Sequence, residues 1–145
     1  MKAMETIQKR HSVRTYDQRP VGMEIRSRLQ QLLQEHVTGP FGAPVRFQLL
    51  DLESVSPQEF KRLGTYGMIR GARLFIVGAV RDRRGSQIDL GYCLEKIILE
   101  ATAMGLGTCW LGGTFRRSSF ACWMQLESDE LLPAITPRSE ERRVG

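Results

Sequence analysis

The chain has 145 residues, 41% hydrophobic and 26% charged, with a formal net charge of +5 carried mostly by arginine; this is the profile of one soluble domain, long enough to bury about 70% of its unfolded surface. It contains no run of about 18 apolar residues for a membrane helix, and its start, MKAMETIQKRHSVR, has no apolar segment of a secretory signal. Cys93, Cys109 and Cys122 are odd in number and lack CxxC spacing, which fits a reduced, cytoplasmic protein better than a disulfide scaffold or a zinc site.

Met4 to Gln8 reads as a short helix with Ile7 inward, and Thr15 to Val21 as extended, since Pro20 disfavours helix before it. Leu29, Leu32 and Leu33 recur at i, i+3, i+4 within an amphipathic helix from Met23 to Glu35. Thr38 to Pro44 is a Gly/Pro loop, and Val45 to Leu52 a strand with Phe47 and Leu49 on one face. Ser56-Pro57-Gln58-Glu59 opens another helix by its capping residues. Leu74 to Val80 is a continuous apolar run, predicting a central strand buried on both faces. From Gln87 to Met104, Leu90, Cys93, Leu94, Ile97, Ile98, Ala101 and Met104 mark a long helix that Gly105 should stop. Thr108 to Leu111 is expected as a short buried strand before Gly112-Gly113, and Ser118 to Leu126 as a last helix. The order of elements gives an α+β class, with a mostly antiparallel central sheet flanked by helices, one of them long and central.

Two segments carry chemistry. Arg10, Ser12 and Arg14 point to one side if the backbone there is extended, leaving His11 and Val13 on the other. Two guanidinium forks and a hydroxyl suit a terminal phosphate. Alone, the same residues read more readily as a solvated basic helix end. Glycines 105, 107, 112 and 113 around an apolar strand permit close backbone approach to a flat ligand, or simply form a helix stop and a bulged strand. They are not a dinucleotide fingerprint, because such a turn follows a strand and opens a helix. His36, Cys93, Cys109, Cys122, Trp123 and the Arg81–Arg84 turn read as structural residues, while Tyr66 and Tyr92 stay open as residues that pack against the site.

IQKRHSVRTYDQRPV, GARLFIVGAV and DLGYCLEKIILEATAMGLGTCWLGGTF resemble, in that order, the opening segment, inner strand and central helix with glycine-rich strand of the nitroreductase family. TGPFGAPVRFQLL resembles a branch of that family with two related halves in one long chain. The resemblance implies an FMN-dependent oxidoreductase working in ping-pong fashion: NAD(P)H reduces the flavin, which then reduces a nitroaromatic or quinone-type small molecule. It implies that Arg10, His11, Ser12 and Arg14 hold the phosphate, ribityl chain and pyrimidine edge, and that Trp110, Leu111, Gly112 and Gly113 lie against the isoalloxazine. No side chain acts as a catalytic group and no metal is needed, because the flavin carries the reactive atom.

The resemblance also implies what is missing. The family's Pro-Ser-x-x-Asn-x-Gln-Pro-Trp segment is reduced here to Pro44 and the Phe47 end, without the asparagine that touches the flavin. A homodimer, or a carboxy-terminal half of the same chain, is expected to complete the site, so this chain alone should bind FMN poorly. Residues 138–145, RSEERRVG, match the in-frame translation of a common sequencing adapter. We therefore expect residues 1–137 to be the amino-terminal part of a longer natural domain, and the last eight residues to be an assembly artefact. Two other readings compete with the enzyme: a non-enzymatic flavin or nucleotide-binding protein on the same fold, and a basic nucleic-acid-binding domain. The latter calls for aromatics interleaved with a basic face, which the sequence lacks; neither nucleic acid nor membrane is an expected partner.

Overall fold

Leu74 to Val80 is buried at every position, as a strand covered on both faces must be. The computed structural model describes residues 3–13, 22–51, 56, 58, 74–110, 125–133 and 135–140, with backbone alone at 135 and 137–140. The elements are α1 (Ala3–Lys9), α2 (Met23–Glu35), β1 (Val45–Asp51), β2 (Leu74–Arg81), α3 (Ser86–Ala103), β3 (Leu106–Gly107), β4 (Glu130–Leu131) and β5 (Ile135–Glu140). The α+β class, with a mostly antiparallel sheet and a long central helix, is what the structure has.

All named strands pair antiparallel, in the order β1-β2-β5-β3. β1 runs the length of β2, from Val45 opposite Val80 to Asp51 opposite Leu74. The other edge of β2 is shared: Val80 and Arg81 meet β4, while Leu74 to Val77 meet β5. Ser139 and Glu140 then reach Gly107 and Leu106 of β3. β5 thus runs three residues into the segment set aside as a tail, because ladder bonds satisfy main-chain groups whatever the side chains.

The sheet face bearing Leu74, Ile76 and Val80 packs on Leu29, Leu32 and Leu33 of α2 and on Leu90, Leu94, Ile97 and Ile98 of α3. Gly78 lies on that face, where a Cβ would come within 2.7 Å of Phe47 Cε1 and 3.0 Å of Leu90 Cδ1, so glycine is what lets α3 approach. α3 starts at Ser86 and ends at Ala103, and Gly105 turns the chain with φ +83°, as a helix-stopping glycine does.

Three expectations need correcting. Ile7 is 50% exposed while Thr6 is buried, because the small threonine lets α1 lie close to α3 and turns Ile7 outward. The short strand occupies Leu106–Gly107 rather than starting at Thr108, since Gly105 turns the chain directly into the sheet. At the end of the proposed last helix, Gln125 has φ +55° in a turn, so a helix does not reach it. The rest of that helix, the one from Ser56, and Tyr66, Cys122 and Trp123 lie outside the described residues.

Candidate functional site

The end of α1 and the start of the glycine-rich segment meet. The Arg10 N–H still donates to the Thr6 carbonyl (2.9 Å), as in a helix, and His11 Nδ1 donates to the Lys9 carbonyl (3.3 Å). Only then does the chain extend: Ser12 forms a parallel bridge with Thr108, and the Val13 N–H donates to the Thr108 carbonyl (2.8 Å). Strict alternation therefore fails at Arg10, because that residue still belongs to the helical turn. Arg10, His11 and Val13 together line one cleft; Ser12 is not part of the lining, though it bridges Thr108, which is.

The cleft has a volume of about 380 Å³, and Gly105, Leu106, Gly107 and Thr108 also line it. Ile25, Thr102 and Met104 supply the rest of the lining beside Lys9. Three basic side chains and no carboxylate line it among the described residues, so its potential favours an anion. Three buried side-chain nitrogen or oxygen atoms lack a hydrogen-bond partner among the described residues, and two of them, Arg10 Nη1 and Thr108 Oγ1, belong to this lining. Buried donors are nearly always paired, so two orphans on one cleft lining mark a place for a ligand's acceptor.

Trp110 stands just beyond the lining. Its indole N–H donates to Glu95 Oε2 of α3 at 2.7 Å, and the ring packs partly against the core. The side chain is thus tied to the helix. Arg14, Leu111, Gly112 and Gly113 lie outside the described residues. Cys93 and Cys109 are buried and free; burial first, and then nearby Asp89, pushes the Cys93 thiol above its ordinary value. His36 Nε2 meets Glu100 Oε1 at 3.1 Å at the end of α2. Sequence reasoning missed the anchor of the Thr38–Pro44 loop. Asp89, fully buried in the first turn of α3, accepts the N–H groups of Phe41 and Ala43, both at 2.7 Å. Gly39 packs against it so closely that a Cβ would fall 2.4 Å from Oδ1.

Residues 2–136 match the family described as "Putative TM nitroreductase". The chain belongs to the nitroreductase family. No curated protein matches it in sequence. Among solved structures it resembles a nitroreductase family protein from Clostridium novyi NT (TM-score 0.77, 17% identity, 98% of this chain and 86% of that one). It also resembles an FMN-dependent nitroreductase from Clostridium difficile R20291 (TM-score 0.71, 19% identity, 98% and 89%). A third is a "putative nitroreductase in complex with fmn" from Desulfovibrio desulfuricans (TM-score 0.75, 19% identity, 100% and 89%). At these identities the likeness establishes the nitroreductase fold.

The residues present fit a flavin phosphate. An acid-free lining with a buried, unpartnered guanidinium nitrogen and a buried, unpartnered hydroxyl is a donor set for a phosphate monoester. The cleft's volume falls in the range of about 300–1,000 Å³ usual for cofactor sites.

Proposed function

We propose that the protein is an FMN-dependent oxidoreductase that uses NAD(P)H to reduce nitroaromatic or quinone-type small molecules in a ping-pong cycle. The observation that carries this reading is the pair of orphaned donors, Arg10 Nη1 and Thr108 Oγ1, in the acid-free cleft of a nitroreductase-family chain. Among the similar structures, the Clostridium difficile protein is an FMN-dependent nitroreductase and the Desulfovibrio desulfuricans protein is in complex with FMN, which supports the same cofactor here.

FMN would supply reversible two-electron chemistry, taking hydride from a nicotinamide and delivering it to an acceptor. The chain's own residues bind and orient. Arg10 and Lys9 neutralise the phosphate, His11 and Ser12 border it, and Gly105 and Gly107 leave the wall free of side chains so that a ligand can lie close to backbone. By resemblance, Arg14 adds a second fork, and the backbone of Trp110, Leu111, Gly112 and Gly113 lies against the ring system. With Trp110 held by Glu95, its indole is fixed and its main chain is what remains to face a ligand. The asparagine-bearing segment is absent from residues 38–47, so a second copy or further chain completes the ring-binding end.

The test is steady-state NAD(P)H oxidation by FMN-loaded protein with a nitroaromatic or quinone acceptor. Parallel double-reciprocal lines are expected; flavin bound without acceptor-dependent turnover would reduce the protein to a flavin-binding module, and the absence of any flavin binding would refute the proposal.

A further inference from the structure

We infer that Thr108, which neither spacing nor resemblance singled out, is a phosphate ligand: its hydroxyl donates to the phosphate monoester that Arg10 binds. The inference rests on the flavin reading above and adds a residue to it. Thr108 is 1% exposed, and its Oγ1 has no hydrogen-bond partner among the described residues. The main chain around it is well satisfied: its carbonyl accepts from Val13 at 2.8 Å, and it bridges Ser12. The backbone bond fixes Thr108 beside the Arg10–Val13 segment and leaves only the hydroxyl unpaired.

A buried hydroxyl without a partner is a liability to the fold. Thr102, on the same cleft, shows the usual remedy: its Oγ1 donates to the Ile98 carbonyl at 2.9 Å. Thr108 has left the helix and has no such carbonyl among its partners. Arg10 Nη1, on the lining of the same cleft, is equally buried and equally unpaired. A hydroxyl and a guanidinium N–H are both donors to a phosphate oxygen, and no carboxylate lines the cleft to compete. A phosphate, with several terminal oxygens, offers acceptors to both orphans. The phosphate is the one strongly anionic group of FMN, and charge-assisted bonds from a guanidinium are the stronger ones, so the phosphate end is the better match.

Thr108→Val tests this in the full chain, because the two side chains have nearly the same shape and only the hydroxyl is lost. Since that hydroxyl has no protein partner, the ligand-free melting temperature of the variant should equal or exceed that of the parent. Affinity for FMN, measured by quenching of flavin fluorescence, should fall about tenfold, the loss of one charge-assisted bond. Affinity for riboflavin, which lacks the phosphate, should stay within about twofold, and Thr108→Ser should restore FMN binding. Thr108→Ala gives the same comparison if the valine variant does not fold. Unchanged FMN affinity, or equal losses for FMN and riboflavin, overturns the inference. Ribose 5-phosphate separates it from the flavin reading. If the parent binds neither flavin but binds ribose 5-phosphate in a Thr108-dependent way, the cofactor assignment fails and the phosphate ligand stands. If it binds none of the three, both fail.

Discussion

Replacing Asp89 by asparagine leaves one acceptor oxygen where two main-chain N–H groups, of Phe41 and Ala43, each donate at 2.7 Å. The new amide N–H₂ faces the second of them donor to donor. Each charge-assisted bond is worth about 1.5–3 kcal/mol, and an unpaired buried N–H costs about 1–3 kcal/mol. Asp89 is fully buried, so water does not fill in. The expected loss is therefore about 3 kcal/mol for Asp89→Asn, and more for Asp89→Ala, which abandons both N–H groups. With a urea m-value of about 2 kcal/mol/M for a domain of this size, the unfolding midpoint should drop by about 1.5 M. Gly39→Ala should produce a loss of the same kind, since its Cβ would fall 2.4 Å from Asp89 Oδ1. Urea unfolding followed by circular dichroism measures all three. A midpoint drop below about 0.5 M for Asp89→Asn would show that the carboxylate does not carry the loop.

Glu130 accepts from Arg46 Nη2 at 2.7 Å and Nε at 3.2 Å, and that bond first holds its carboxyl below the ordinary value of 4.5. A depressed pKa stabilises the fold above the ordinary value and loses that contribution as the pH falls through the lowered one. Glu130→Gln should thus be less stable by about 1 kcal/mol at neutral pH, a modest figure because Arg46 is part-exposed. The gap should close in acid, and a gap that persists at pH 2 would contradict it. Cys93 and Cys109 are buried and the Cys93 thiol is pushed up, so in a Cys122→Ser background a thiol reagent should label neither until denaturant is added; rapid native labelling would refute the burial. Glu95→Leu should red-shift the Trp110 emission by freeing its indole from the 2.7 Å bond, while Glu95→Gln, which keeps an acceptor, should not. This is best read in a Trp123→Phe background, where an unchanged Glu95→Leu spectrum would count against the anchor.

Periodic apolar patterns predicted what they physically encode. Leu29, Leu32 and Leu33, the run through β2 and the apolar face of α3 are all buried, because burial is what imposes those periods. The meeting of Arg10–Val13 with the glycine-rich segment was legible only as two motifs of one family, and the structure places them on one cleft through the bridge at Thr108. Other features had no local signal. Asp89 in a first helical turn looks like a dipole-matched acid, yet its partners lie 48 and 46 residues away. The bond from Trp110 to Glu95 spans 15 residues and a change of element. Ile7 misled because a seven-residue helix offers two turns at most, and a buried threonine set its face. Thr108 read as an interior strand residue; its significance lies in a missing partner, which no sequence displays.

Titrating the full chain with FMN and with riboflavin, under one buffer and salt, tests the central claim that the cleft between Arg10–Val13 and Gly105–Thr108 is a flavin phosphate site. Saturable FMN binding, weak in absolute terms because the ring-binding end is incomplete but at least about tenfold tighter than riboflavin, a difference that Arg10→Ala abolishes, is the predicted result. Equal affinity for the two flavins, or an FMN preference that survives Arg10→Ala, would contradict it.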